Sequence, residues 1–267
     1  TKTNINDTDI VKNNADKLLL ELHFDERINA NQYRFLTEFK SRCPLFYGIP
    51  KTHKSGCPLR PIVSQTNGPT SMISRYLSEL LFVAEKQIPH ILQDTTAFLN
   101  IIKSKNKVDE NTLLVTLDVT SLYTNIPQEE GANWVTEFYA ETLSQWSNYS
   151  PGLLPVKPET VKEMILFVLK NSTFEFDNEF YVQNYGTTMG SWFSVRFANI
   201  YMHQFLKNFF QKNPSLKPEY VARLIDDIFF TWDKNKTELD TLINELNSCH
   251  QTIKFEPTIS ETEVHFL

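Results

Sequence analysis

Glycine is scarce in this chain, seven in 267 residues, and thirteen prolines complete a composition that argues against fibrous and low-complexity classes. Three cysteines, Cys43, Cys57 and Cys249, cannot all pair and show no C-x-x-C spacing. A disulfide scaffold and a structural zinc site are therefore disfavoured, and a reducing compartment is expected. His53 beside Cys43 and Cys57 lacks a fourth ligand. No uninterrupted apolar run approaches the roughly 18 to 20 residues of a bilayer span. No basic stretch followed by an apolar one opens the sequence, so no signal peptide is expected. The expectation is an intracellular protein, in nucleus or cytoplasm, with no membrane partner. What the chain does have is 41% apolar and 13% aromatic residues, enough for one large core or two small ones.

Charge is unevenly placed. Residues 40–107 hold ten Lys or Arg against three acids, whereas residues 108–267 hold eleven against twenty-two. The net charge of −6 makes bulk electrostatic binding to nucleic acid a poor expectation. A basic segment beside an acidic one, however, can grip phosphate with the first and a metal with the second.

Residues 1–39 are polar and rich in Asn and Asp, with one helical stretch near Leu18, and read as an N-terminal arm. Phe46-Tyr47-Gly48-Ile49-Pro50 runs into a basic turn containing Lys51 and Lys54 and returns through residues 59–63, which predicts a hairpin with a cationic tip. Pro69 with Thr70 or Ser71 opens a helix whose apolar positions Ile73, Tyr76, Leu77, Leu80 and Leu81 keep helical spacing. Leu113-Leu114-Val115-Thr116-Leu117 is the pattern of a strand buried on both faces, and it ends at Asp118. Val161, Met164, Ile165 and Val168 mark an amphipathic helix with Pro158 near its start. Phe174-Glu175-Phe176 and Phe180-Tyr181-Val182 flank Asp177-Asn178-Glu179, which predicts a second hairpin. Gly190 precedes a helix carrying Phe193, Phe197 and Tyr201. Two β-prone runs then flank Asp226-Asp227, and Thr237 is expected to cap a last helix. The order of elements predicts an α+β fold built on a split βαβ sheet with helices on one face.

An Asp-Asp pair alone carries little information. Here both its neighbours are apolar for several residues, so the carboxylates sit in an element made for burial, where ionised groups are costly unless a cation offsets them. If adjacent strands bring Asp118 to Asp226 and Asp227, the pocket offers oxygen ligands only, which suits a hard divalent ion completed by phosphate and water. Two such ions about 3.5 to 4 Å apart would serve a phosphoryl displacement. Exposed turn aspartates are the plainer alternative. Tyr123, five residues beyond Asp118, would pack against a nucleotide sugar if it faces that pocket; from spacing alone a core tyrosine is the better reading.

The blocks Phe46 to Lys54, Leu59-Arg60-Pro61-Ile62-Val63-Ser64, Leu117 to Pro127, Gly186-Thr187-Thr188-Met189-Gly190, Ala198-Asn199-Ile200-Tyr201-Met202 and Arg223-Leu224-Ile225-Asp226-Asp227-Ile228 resemble, in the same order, the reverse transcriptases of Penelope-like retroelements. The resemblance spans about residues 40–267. It implies a right-hand polymerase of fingers and palm, related to telomerase reverse transcriptases, with the palm a ferredoxin-like antiparallel sheet and an RNA-directed DNA polymerase activity. The implied layout is an arm at 1–39, fingers at 40–112, and a palm at 113–267 with a fingers insertion around 136–187 and no thumb. Carried over by position, Asp118, Asp226 and Asp227 resemble the catalytic metal site for Mg²⁺, with Mn²⁺ as a substitute. Lys51, Lys54 and Arg60 resemble the residues that hold the incoming triphosphate, Tyr123 the sugar gate, and Gly190 the start of the element under the templating base. Lys254 resembles a proton donor to departing pyrophosphate. The implied partners are an RNA template, a DNA primer and deoxynucleoside triphosphates. Leu224, Trp192, Ser194, Val195 and Arg196 depart from the family pattern. Those departures keep a catalytically silent nucleic-acid-binding module in view, and the carboxylates alone would also fit a two-metal nuclease or phosphatase.

Overall fold

The structure, a computed structural model, describes residues 1–3, 5–52, 55–104, 112–146 and 154–266. The chain forms two compact units, each discontinuous in sequence: Thr1–Gln87 with Ile126–Ile200, and Ile88–Asn125 with Tyr201–Leu267. In sequence, residues 126–200 of the first unit separate the two segments of the second.

In the first unit a five-stranded sheet is formed by β1 (Lys2–Thr3), β2 (Leu45–Pro50), β3 (Leu59–Ser64), β5 (Thr173–Phe176) and β6 (Glu179–Val182), in the order β1-β6-β5-β2-β3. β2 and β3 make the expected hairpin, with Ile49 opposite Arg60. β5 and β6 make the other; its two turn residues, Asp177 and Asn178, both have positive φ, the requirement of the tight turn that matches strand twist. Helices α1 (Thr8–Phe24), α2 (Ala30–Thr37), α3 (Ser71–Glu85), α6 (Gln128–Thr142) and α7 (Pro158–Lys170) supply the core of this unit. Residues 1–39 are no loose arm. Val11, Ala15, Leu19 and Leu22 recur along one face of α1 and are all buried, and β1 joins the sheet edge. Asn and Asp on the opposite face hid that stripe in the composition.

The second unit is built on a four-stranded antiparallel sheet, β7 (Val221–Leu224), β8 (Asp227–Trp232), β4 (Leu113–Val119) and β9 (Phe255–Ser260), in the order β7-β8-β4-β9. α4 (Thr95–Ser104), the one-turn α5 (Leu122–Asn125) and α9 (Lys236–Ser248) belong to it, and α8 (Ser194–Lys212) contributes from Tyr201 onward. Burial along β4 alternates: Val115, Leu117 and Val119 are buried, whereas Leu114, Thr116 and Asp118 are half-buried. The strand is therefore packed fully on one face only, not on both as its apolar run suggested. Asn235, not Thr237, caps α9; its side chain accepts from the Glu238 N–H at 2.8 Å. Among the described residues no helix is long and apolar enough to cross a membrane.

Candidate active site

Strand register sets Asp118 in the position opposite Asp227. Residues directly opposite on antiparallel strands share a face of the sheet. Asp118 on β4 lies opposite Asp227 on β8 and, on its other side, opposite Glu256 on β9. Asp227 in turn lies opposite Leu224 on β7. Leu224, Asp227, Asp118 and Glu256 therefore form one row across the sheet, with adjacent strands about 4.8 Å apart. Asp226 occupies the two-residue loop between β7 and β8, and its carbonyl accepts from the Val119 N–H at 3.1 Å, which ties the loop to the end of β4. Sequence reasoning expected Asp118, Asp226 and Asp227 together and missed Glu256, because no local pattern announces how β9 registers against β4.

A row at strand spacing spreads its side chains rather than converging them. Among the described residues no three His, Cys, Asp or Glu side chains approach closely enough to hold a metal by themselves. The donor set is oxygen-only, and it leaves several coordination positions to be filled from outside, the condition in which Mg²⁺ binds with substrate phosphates and water. The residues fit a hard cation delivered with substrate; they do not form a closed cage.

The loop that carries Asp226 is strained. Ile225 has a φ of +56°, a region in which β-branched residues are outliers. Arg223, buried at 0% exposure, donates from Nη1 to the Ile225 carbonyl at 2.8 Å. Its own N–H donates to the His90 carbonyl at 2.9 Å, and its carbonyl accepts from the Leu92 N–H at 2.8 Å. A buried guanidinium and an added backbone bridge thus hold a conformation that the local residues would not choose. Leu224 packs into an apolar cluster with Leu92, Ala222 and Phe229, so its departure from the family pattern is absorbed by the core.

Tyr123 is buried, at 9% exposure, in the short turn of helix that follows β4 through Ser121, whose φ is +48°. Lys254 is engaged elsewhere: its Nζ donates to the carbonyls of Asn247 and, at 2.7 Å, His250, satisfying the C-terminal end of α9. That arrangement makes it a helix cap and weakens its reading as a proton donor.

The remaining candidates belong to the first unit. Lys51, half-buried, closes the β2–β3 hairpin by donating its N–H to the Pro58 carbonyl at 2.9 Å, and Arg60 stands exposed on β3. Lys54 and His53 lie outside the described residues. Gly190 has a φ of +117°, and a Cβ built there would stand 2.2 Å from the carbonyl oxygen of Val63 on β3. The Val63 N–H donates to the Met189 carbonyl at 2.8 Å. The close approach that Gly190 permits is thus to the chain's own strand. Ser194, another departure, is buried and hydrogen-bonded to Thr187 at 2.6 Å, and Arg196 reaches Ser78 at 2.5 Å. The three cysteines are free, with no bridge between them.

This architecture is shared with template-directed polymerases of the fingers-and-palm type. The telomerase of Candida albicans, in complex with a TWJ fragment of telomeric RNA, superposes with a TM-score of 0.60 at 11% identity, over 87% of this chain and 44% of that one. An apo telomerase from Candida tropicalis, truncated from its C-terminal domain, gives 0.61 at 14%, over 84% and 52%. The RNA polymerase complex of a dsRNA virus gives 0.58 at 10%, over 98% and 24%. At these identities the likeness is one of fold, and the chain spans about half or less of the length of these structures. The family model for reverse transcriptase (RNA-dependent DNA polymerase) matches residues 49–260. The chain belongs to that family. No curated protein matches it by sequence.

Proposed function

We propose that the chain is the fingers-and-palm core of an RNA-directed DNA polymerase of the Penelope-like type, extending a DNA primer on an RNA template with deoxynucleoside triphosphates. The observation that carries this reading is the register that sets Asp118 opposite Asp227, beside the loop holding Asp226. The second unit is then the palm and the first the fingers, with the palm interrupted by residues 126–200.

In the reaction the primer 3′-oxygen forms a bond to the α-phosphorus of the incoming nucleotide, the α–β anhydride bond breaks, pyrophosphate departs, and the hydroxyl proton passes to solvent. Asp118 and Asp226 would hold the cations, and Asp227 would add negative charge beside them. Such ions, Mg²⁺ or Mn²⁺, would supply positive charge toward the attacking and departing oxygens. Arg60, exposed on its strand, presents a planar fork suited to triphosphate oxygens, with Lys51 on the same hairpin; Lys54 is assigned the same role from its place in the sequence. Tyr123 is assigned to exclude a 2′-hydroxyl.

Primer extension on an RNA template with Mg²⁺ tests the reading, using the wild type, Asp226→Ala and Tyr123→Ala after each is shown folded by circular dichroism. Incorporation by the wild type and its loss in Asp226→Ala are expected, with easier ribonucleotide acceptance in Tyr123→Ala. Equal extension by the wild type and Asp226→Ala would remove the metal site. Salt-sensitive template binding with no incorporation by the wild type would establish the silent module, and nucleotide release without synthesis would establish a hydrolase.

A further inference from the structure

Apart from the acidic row, the second unit contains a cavity of about 580 Å³. Residues 89–90, the face of α8 that carries His203, Lys207 and Phe210, and residues 217–221 leading into β7 enclose it. Its size lies within the range of small-molecule sites.

The walls combine two features. Leu206, Phe210 and Tyr220 give an apolar, aromatic lining that a planar ring would fill. Lys207 and Lys217 bring two positive charges against the single carboxylate of Glu219, so the lining is cationic. The imidazoles of His90 and His203 lie together, centroids 5.1 Å apart. Burial, with the positive charge of Arg223 next, holds both far down the pH scale, His90 to about 3 and His203 to about 4, so near neutrality both are uncharged hydrogen-bonding groups. The Nε2 atom of His90 is buried and has no hydrogen-bond partner among the described residues. A buried polar atom without a partner is costly, and a polar group entering the cavity would offset that cost.

We infer that this cavity binds a small molecule made of a planar aromatic body and one anionic group, the ring between Phe210 and Tyr220 and the anion toward Lys217. The site is separate from the acids, and its occupancy does not depend on the polymerase reading.

Fluorescence titration of the full chain with anilinonaphthalene sulfonate, which has this chemistry and brightens in apolar surroundings, tests the inference. Saturable binding at one site is expected, weakened about tenfold in Lys217→Glu, the scale of a lost charge-assisted contact. Naphthoate should displace the probe and the neutral naphthalenemethanol should displace it much less. Absence of saturable binding, unchanged affinity in a folded Lys217→Glu, or equal competition by the neutral compound would each overturn the inference. Because the readout is binding alone, a protein that fails to extend primers still tests it.

Discussion

Replacing Gly190 by alanine sets a new Cβ 2.2 Å from the carbonyl oxygen of Val63. Ordinary contact would need about 1.2 Å more at least, and the obstacle cannot rotate away. It is main chain in the interior of β3, where Val63 pairs with Phe46 and donates to Met189. Either β3 or the segment before α8 must shift, an overpacking cost of about 1–3 kcal/mol. The φ of +117° adds strain of roughly 1–2 kcal/mol for any residue with a side chain. The expected loss is about 2–5 kcal/mol, a large share of the 5–15 kcal/mol typical of a folded protein. Gly56 supplies the control. Its φ is also positive, at +73°, but a Cβ there meets nothing within 4 Å, so Gly56→Ala should cost only about 1 kcal/mol. Urea unfolding followed by circular dichroism measures both. A Gly190→Ala protein as stable as the wild type, or one no worse than Gly56→Ala, would refute the steric argument. Any loss of primer extension in Gly190→Ala would then report a displaced strand before it reports a contact with nucleotide.

Two further expectations concern the second unit. His90 and His203 titrate in the folded chain well below the ordinary histidine value near 6.5, so between that value and about 4 the unfolded chain binds more protons and stability falls as pH falls. At pH 5 the loss relative to pH 8 is up to about 2 kcal/mol for each histidine, and urea midpoints for the wild type and for His90→Asn with His203→Gln should diverge over that interval; parallel curves would show that neither imidazole is held neutral. Ile225→Asn places a residue tolerant of left-handed backbone in the acidic loop and should stabilise the unit by about 0.5–1 kcal/mol in a thermal melt, whereas a lower midpoint would mean that the isoleucine's packing outweighs its strain.

Much of the second unit could be read in the residues. The apolar runs on either side of Asp226-Asp227 became β7 and β8, and the run ending at Asp118 became β4, since alternation and turn signals are local. What could not be read was long-range. Glu256 reaches the row only because β9 pairs with β4 across more than a hundred residues, and Pro257 is tolerated inside that strand because β9 lies at the sheet edge. Arg223 as a buried support of the loop left no trace, because an arginine beside an acidic pair suggests a surface ion pair. Gly190 resembles the start of the element under the templating base; the strand its missing Cβ makes room for, at Val63, lies 127 positions earlier and leaves no local sign.

The pairing of β4 with β9 also matters during synthesis. From Leu114 to Val119 one side of β4 has no backbone partner until residues 255–260 leave the ribosome. Throughout that interval an open row of amides and carbonyls lies beside Asp118, an invitation to any passing extended segment. Fragments cut short of Phe255 would keep the aspartates and the hairpin yet carry a permanently adhesive flank, so recombinant trimming from the C-terminal side should yield insoluble material before it yields a smaller working domain.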